Sequence, residues 1–449
     1  MNRMLLIILS ACLTLCSIPA WSQAKQHPVE SIEARHRAEL IGDVSEGLRE
    51  VYVFEDVAMQ MVELINGKLE RGEYDQFDTV AGLTDQVTAD MQSISHDLHL
   101  SVRAAQPPPR SSGGEEISPQ ERAQRRLQSA QARNFGFKRV EMLPGNIGYL
   151  DLRGFEDADI GGETAVAAMN FLANSSAIIF DLRQNGGGSP SMIQLISSYL
   201  FEESQHLNSF HVRRTDSIEQ YWTQARVQGT KVVDTPVYIL TSGRTFSAAE
   251  EFTYNLKNMK RATVVGETTG GGAHPVDLVT LDLGDNHYAR LSLPFGRAVN
   301  PITGTNWEGT GVTPNIETSA EQALGIAQFE ILKDLSAAAT DEQIKFGYEW
   351  ARDELDYQLN PMEVPLDGSS AYVGRYGPRS ITLEGGKLMY QRGEGKKMTL
   401  APMGKADYFH VGELDFFRIQ FERNSAGAVI GLVGHYNDGR TDQNTRQDG

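Results

Sequence analysis

The sequence predicts an α/β core with a mostly parallel sheet and crossover helices, preceded by a helical module and followed by a small antiparallel β domain. Three patterns indicate this architecture. Helical periodicity dominates residues 29–65 and 79–94, apolar strands alternate with helices between 145 and 266, and short strands separated by glycine turns fill 370–437. Because the working loops of a parallel sheet lie at the carboxyl ends of its strands, a functional site is expected there.

The 449 residues divide into six expected segments. These are a signal peptide (1–24), an N-terminal helical module (25–103), a flexible linker (104–134), the α/β core (135–360), a C-terminal β domain (368–437) and a disordered tail (438–449). Residues 4–18 are apolar, and Ser22-Gln-Ala24 offers small residues for cleavage. The apolar run is shorter than the ~20 residues of a membrane span, so a cleaved signal and a periplasmic or secreted location are predicted.

Composition excludes several classes of function. The net charge of −18 and the pI near 5.0 disfavour nucleic acid and anionic membrane surfaces as partners. Both cysteines, Cys12 and Cys16, fall within the expected signal, so the mature chain has neither disulfides nor a thiol nucleophile. Lipid attachment at Cys12 is disfavoured because the residues after it are still apolar. No metal-ligand spacing or phosphate-loop pattern is present, so neither a metal nor a cofactor is predicted.

The helical module and the linker come first in the chain. The module ends in the phrase Ser95-His-Asp-Leu-His-Leu100, which contains His99. A Pro- and Gly-rich hinge at 105–114 follows, and then a charged segment, Pro119 to Arg133, is predicted to be helical.

The core is predicted from alternating strands and helices. Strands are expected at 145–153, 177–183, 232–240 and 262–266, and helices at 162–174, 191–201 and 248–259. A hairpin is expected within 276–300, followed by helices at 321–335 and 342–359. The C-terminal strands are expected at 380–384, 387–392, 416–422 and 429–436.

Ser247 lies where an apolar strand turns sharply into a helix that begins at Ala248. A serine at such a turn stands clear of the sheet beside a helix N-terminus, which suits a nucleophile whose intermediate is negatively charged. Alternatively, Ser247 is only the N-cap of that helix. Local sequence leaves both interpretations open.

Four ordered motifs resemble the tail-specific (C-terminal-processing) and tricorn-type serine peptidase family. They are Ile178–Gly188, Thr241–Phe252, Val264–Glu267 and Glu308–Pro314. The likeness covers roughly residues 30–335. The helical module, the Ser-x-Asp-Leu-His phrase and the lack of room for a PDZ domain bring it closest to bacterial relatives of the interphotoreceptor retinoid-binding protein. The resemblance implies a ClpP/crotonase-like core.

The resemblance also implies an exported serine peptidase that acts on peptides or unfolded proteins. Ser247 would be its nucleophile. The oxyanion would be held by the backbone N–H of Gly187 or Gly188 together with that of Ala248.

Two histidines are candidates for the general base of the expected site. The C-terminal-processing branch uses a Lys where this chain has Gly272, so the resemblance implies the tricorn arrangement. In that arrangement, His99 would be the base, and Glu308 would orient it directly or through another group. The serine that precedes the tricorn histidine is replaced by Leu98. His274, in the glycine loop near the site, is an alternative base or a substrate-binding residue, and the resemblance favours His99.

A second function is carried by the same resemblance. The vertebrate retinoid-binding protein is a carrier, so a non-catalytic carrier of a retinoid- or lipid-like ligand is the alternative. The joint presence of a serine, a base and an orienting carboxylate favours the peptidase. The sequence does not specify an oligomeric state.

Overall fold

A computed structural model describes residues 31–108, 117–362 and 368–447. Its helices are α1 (Ala34–Val51), α2 (Glu55–Glu70), α3 (Val80–Ser95), α4 (Pro119–Ala132), α5 (Ala158–Phe171), α6 (Pro190–Ser197), α7 (Ala248–Asn258), α8 (Ala323–Ala338) and α9 (Glu342–Leu359). Its strands up to residue 317 are β1 (Ser101–Ala105), β2 (Phe137–Leu143), β3 (Ile147–Leu152), β4 (Ala177–Asp181), β5 (His206–Val212), β6 (Ser217–Trp222), β7 (Val237–Thr241), β8 (Ala262–Gly266), β9 (Val276–Asp282), β10 (Tyr288–Pro294), β11 (Gly296–Val299) and β12 (Ile316–Glu317). The later strands are β13 (Gly374–Tyr376), β14 (Arg379–Glu384), β15 (Lys387–Arg392), β16 (Met398–Pro402), β17 (Tyr408–Val411), β18 (Leu414–Arg423), β19 (Val429–Tyr436) and β20 (Thr441–Gln447).

A six-stranded sheet forms the centre of the core, in the order β12-β8-β7-β4-β3-β2. All neighbouring pairs are parallel except β2 with β3. Every residue of β4 and β7 is buried, because helices cover both faces of the sheet. Helices α5, α6 and α7 pack on one face and α8 on the other. The predicted α/β core with a mostly parallel sheet is therefore confirmed.

The N-terminal helices share a core with a hairpin that lies far away in the chain. Strand β1 pairs with β10, and β10 pairs with β9, in an antiparallel three-stranded sheet. Apolar residues of α1, α2 and α3 pack on the inner face of this sheet, where they meet Leu291 and Leu293 of β10. The chain segment that ends α3 and begins β1 is thereby fixed against the core.

A closed barrel of eight antiparallel strands, β13 to β20, forms the C-terminal domain. The predicted small antiparallel β domain is confirmed, but the prediction of a disordered tail at 438–449 is wrong for Thr441–Gln447. This segment is β20, which pairs with β19 on one side and β13 on the other. Its backbone hydrogen bonds close the barrel, so a wholly polar sequence forms a strand without a buried apolar face. Residues 448–449 lie outside the described part.

Four of the expected segments extend outside the described residues, the helical module by residues 25–30 and the tail by residues 448–449. The expected signal peptide, 1–24, lies outside them. The expected linker, 104–134, includes the end of β1 and helix α4, and residues 109–116 between them lie outside. Within the three described ranges, no helix combines the length and the apolarity that a membrane crossing requires.

Candidate active site

Ser247 stands at the sharp turn between β7 and α7. Its backbone has φ 54° and ψ −124°, a conformation that only glycine adopts without strain. Two hydrogen bonds to the loop after β4 fix the turn. The N–H of Phe246 donates to the Asn185 carbonyl at 3.1 Å, and the Thr245 hydroxyl donates to the Leu182 carbonyl at 2.8 Å. Ser247 is also the N-cap residue of α7, so the two interpretations of this serine are compatible.

Glu250 connects the serine turn to the glycine loop that follows β8. Its buried carboxylate accepts hydrogen bonds from the N–H of Ser247 (2.9 Å), Gly271 (2.7 Å) and Gly272 (2.9 Å) and from the Thr269 hydroxyl (2.5 Å). Burial raises the pKa of this carboxyl, and the four donors oppose that shift. The first turn of α7 therefore sets the position of residues 269–272 relative to Ser247.

Two backbone N–H groups beside Ser247 are free to bind an anion. Within the described part of the chain, neither the N–H of Gly188 nor that of Ala248 has a hydrogen-bond acceptor. The N–H of Gly187, in contrast, donates to the Asn185 side chain at 2.9 Å. Gly188 and Ala248 also line the same cavity as Ser247. Of the two glycines expected to serve the oxyanion, the geometry favours Gly188.

His274 belongs to a buried cluster with two carboxylates. Its Nδ1 lies 2.7 Å from Oδ2 of Asp97 and 3.6 Å from Oε2 of Glu308. His274 is 5% and Asp97 1% exposed, so the pair is held in a medium where its attraction is weakly screened. Glu308 also accepts the N–H of Ala273 at 2.5 Å and so fixes the loop that carries His274. The His274 ring lines the cavity at Ser247.

His99 lies on the other side of the glycine loop. Its ring packs on Phe246, the neighbour of Ser247, with 4.6 Å between ring centroids. A Cβ on Gly272 would lie 2.6 Å from Cε1 of His99 and 2.3 Å from Cζ of Phe246. The two rings thus fill the space that a side chain at 272 would need. The Nδ1 of His99 is buried, and it has no hydrogen-bond partner among the described residues.

The titration of the cluster follows from its burial. Burial lowers the pKa of His99 to about 4, with Asp97 opposing and His274 adding to the shift. Burial raises the pKa of Glu308 to about 7, opposed by His274 and supported by Asp97. At neutral pH, His99 is therefore a neutral imidazole, and Glu308 is close to half ionised.

The same cluster has donor atoms that a divalent cation could bridge. Ligand atoms of Asp97, His274 and Glu308 lie within 4.8 Å of one another. One imidazole and two carboxylates form a donor set common to several divalent metals. In the present arrangement His274 contacts both carboxylates, and Glu308 also accepts the N–H of Ala273.

Two family models match this chain. Residues 146–318 match peptidase family S41, and residues 32–134 match the N-terminal domain of peptidase S41 in eukaryotic IRBP. Residues 146–318 of the chain are therefore a peptidase family S41 domain. The expected resemblance is confirmed, and the S41 chain is a serine-type peptidase.

Solved structures with similar folds include several peptidases. One is a putative peptidase from Parabacteroides merdae, with 15% identity over 69% of this chain and 100% of that chain and a TM-score of 0.44. Another is the photosystem II D1 C-terminal processing protease, with 15% identity over 65% and 94% and a TM-score of 0.38. A third is the tricorn protease, with 14% identity over 72% of this chain and 37% of that chain and a TM-score of 0.39.

The described contacts of Glu308 are with His274 and the glycine loop. In the described residues, no hydrogen bond joins His99 to Glu308, and Glu308 lies beside His274 instead. The sequence did not predict a role for Asp97 or for Glu250. The Asp97-x-His99 spacing was a usable signal for Asp97, and Glu250 stands at the third position after Ser247, which is typical of a capping box.

Proposed function

We propose that this S41 peptidase hydrolyses peptide bonds of peptides or unfolded proteins with Ser247 as its nucleophile. The observation that carries the proposal is the strained turn at Ser247, with the unbonded N–H groups of Gly188 and Ala248 beside it. A strained backbone that is held by its surroundings is a frequent mark of a functional residue. Two convergent N–H donors at a helix N-terminus are what a tetrahedral oxyanion needs.

The reaction follows from these positions. The Ser247 hydroxyl attacks the scissile carbonyl carbon and gives its proton to an imidazole. The carbonyl oxygen becomes an oxyanion that accepts the N–H groups of Gly188 and Ala248, each of which contributes about 3 kcal/mol to lowering the barrier. The imidazolium then protonates the leaving amine, and the C–N bond breaks. Water, deprotonated by the same imidazole, hydrolyses the acyl-enzyme and frees Ser247.

Two imidazoles are candidates for this base. The resemblance favours His99, and its ring does lie against Phe246 and over Gly272. The contacts favour His274. Its Nδ1 bonds Asp97 at 2.7 Å, which fixes the tautomer, leaves Nε2 as the acceptor and stabilises the imidazolium. We therefore propose His274 as the base, Asp97 as its orienting carboxylate and Glu308 as the residue that positions its loop.

Separate replacement of the histidines tests this assignment. We expect Ser247→Ala and His274→Ala each to lower kcat on a peptide substrate by about 10³-fold or more, and Asp97→Asn to lower it by a similar factor. His99→Ala should cost less than about 10²-fold. Ser247→Ala with full activity would contradict the peptidase mechanism. The reverse order of the two histidine variants would assign the base to His99.

The acid limb of the pH profile gives an independent test. A base acts in its deprotonated form, so kcat/KM falls as the pH drops through its pKa. With His99 as the base, that limb lies near pH 4, because burial lowers its pKa. Glu308, with a pKa of about 7, contributes a limb of its own, so the profile is best measured in Glu308→Gln. A residual limb near pH 4 in that variant, together with loss of turnover in His99→Ala, would contradict the assignment to His274.

The carrier alternative gains no support from the site. A retinoid or lipid requires an apolar cavity, whereas the cavity at Ser247 includes Glu219 and Glu251 among its lining residues. Action after export rests on residues 1–24 alone. Fractionation of cells that express the full chain, followed by N-terminal sequencing of the mature protein, tests it.

A further inference from the structure

The cavity next to Ser247 has a shape and a position that suit one substrate side chain. Its volume is about 280 Å³, enough for a single large residue. Ser247, Gly188 and Ala248 all line it. The carbonyl that Ser247 attacks must lie between these three groups, so the side chain of the same substrate residue is the one that reaches the cavity.

A buried carboxyl group with one unpaired oxygen, that of Glu251, lines this cavity. Glu251 lies four residues after Ser247, on the same face of α7, and lines the cavity although only 3% of it is exposed. Its Oε1 has no hydrogen-bond partner in the described part of the chain. None of the residues that line the cavity is a Lys or an Arg. The cavity lining therefore offers an ionised Glu251 no Lys or Arg as a counter-charge.

The buried surroundings of Glu251 disfavour its ionised form. Burial raises the pKa of Glu251 to about 8, with the buried amides of Asn208 and Asn255 opposing the shift. A buried carboxylate without a counter-charge is expensive, and a cation that enters the cavity removes most of that cost. Glu219, an exposed carboxylate that also lines the cavity, adds a second negative charge.

The walls of the cavity suit the aliphatic part of a basic side chain. Phe210 and Tyr221 pack edge to face with 5.1 Å between centroids, and Trp307 lines the cavity as well. Long basic side chains bury their methylene groups against such surfaces and place the charged end at a carboxylate or over an aromatic face.

From this arrangement we propose that the cavity is the subsite for the residue on the acyl side of the scissile bond, and that Glu251 selects lysine or arginine there. The proposal rests on Ser247 being the nucleophile. It defines the substrate class as peptides cleaved after a basic residue. The apolar walls alone would favour leucine or methionine, and a protonated Glu251 alone would favour glutamine, so the three can be told apart.

The test compares peptides that differ only in this residue. For the wild-type chain, kcat/KM with Lys or Arg should exceed that with Leu or Gln by about 10-fold or more. Glu251→Gln should lower the Lys-to-Leu ratio by about 10-fold or more, because the isosteric amide cannot pair with the cation. Glu203→Gln, which removes an exposed carboxylate that does not line the cavity, should leave the ratio unchanged.

The outcomes separate this inference from the proposed function. Cleavage that survives Ser247→Ala would overturn both. Cleavage that depends on Ser247 but favours Leu or Gln would overturn only the role of Glu251, as would an unchanged Lys-to-Leu ratio in a folded Glu251→Gln protein. If that variant does not fold, the wild-type preference and its weakening in Glu251→Asp, which withdraws the carboxylate by one methylene, decide the question.

Discussion

Gly187 lies so close to the nucleophile that its lack of a side chain is a structural requirement. A Cβ there would lie 2.7 Å from Cβ of Ser247 and 3.0 Å from the N of Ala248, and its φ of 111° disfavours any other residue. We expect Gly187→Ala to displace the Ser247 turn and lower kcat/KM by about 10²-fold or more, as loss of an oxyanion donor does. Peptide turnover by purified, folded protein measures this.

The matched control for that variant is the adjacent residue. A Cβ on Gly186 would meet nothing within 4 Å. Gly186→Ala should therefore keep turnover within about 3-fold of the wild type, since it creates no contact. Equal activity of the two alanine variants would show that activity does not require the close approach of Gly187 to Ser247.

At the scale of single residues, local sequence predicts only what is local. The turn at Ser247 was visible because small residues, an apolar strand and a helix follow one another within a few positions. Glu250 could have been found in the same way, from its capping-box position. The bond between Asp97 and His274 joins residues 177 positions apart, so it depends on how α3, β1 and the glycine loop pack together. No local pattern specifies that packing.

At the scale of elements, one threonine ties helix α3 to strand β1 beside the site. The Thr88 hydroxyl donates to the Val102 carbonyl at 2.8 Å and accepts the Val102 N–H at 2.9 Å. Val102 is fully buried, so these backbone groups have no water to replace the bonds. We expect Thr88→Val to lower the free energy of unfolding by about 1–3 kcal/mol, measured by urea denaturation.

Thr84 supplies the control for this prediction. It lies on α3 as well and is fully buried, whereas Thr88 is half-buried, but its hydroxyl only donates to the Ala81 carbonyl within the helix. Thr84→Val should therefore cost less than Thr88→Val. Equal losses would mean that a buried hydroxyl on α3, rather than the tie to β1, is what stabilises the region.

The elements that the sequence predicted are those whose own residues specify them. Helices α1 to α3 and strands β4, β7 and β8 carry an apolar periodicity or a continuous apolar run, and burial enforces both. Strands β1 and β20 were missed because their stability comes from partners. Strand β1 pairs with β10, almost 190 positions later, and β20 has no buried residue yet closes the barrel.

At the scale of the whole molecule, the N-terminal helices are part of the proposed catalytic unit. They supply the apolar residues that cover β10, and the segment after α3 contributes Asp97 and His99 to the proposed site. The proposed site residues are therefore spread along the chain between residues 97 and 308. The barrel contributes none of them, so it is expected to act on stability or on the handling of large substrates.

The contact between the barrel and α9 allows that separation to be tested. Arg418 of β18 is fully buried, with its guanidinium carbon 3.8 Å from the Trp350 ring centroid, and it donates to the Trp350 carbonyl at 2.7 Å and to Glu354 at 3.2 Å. We expect Arg418→Met to lower the free energy of unfolding by about 3 kcal/mol, because it breaks a buried pair and leaves Glu354 with His410 and Gln358 as partners but without the guanidinium. Arg440→Met, which breaks the exposed pair with Asp438, should cost less than about 1 kcal/mol. Both variants should keep the wild-type kcat on short peptides under conditions in which they are folded. A folded Arg418→Met protein with reduced kcat would show instead that the position of the barrel is coupled to Ser247.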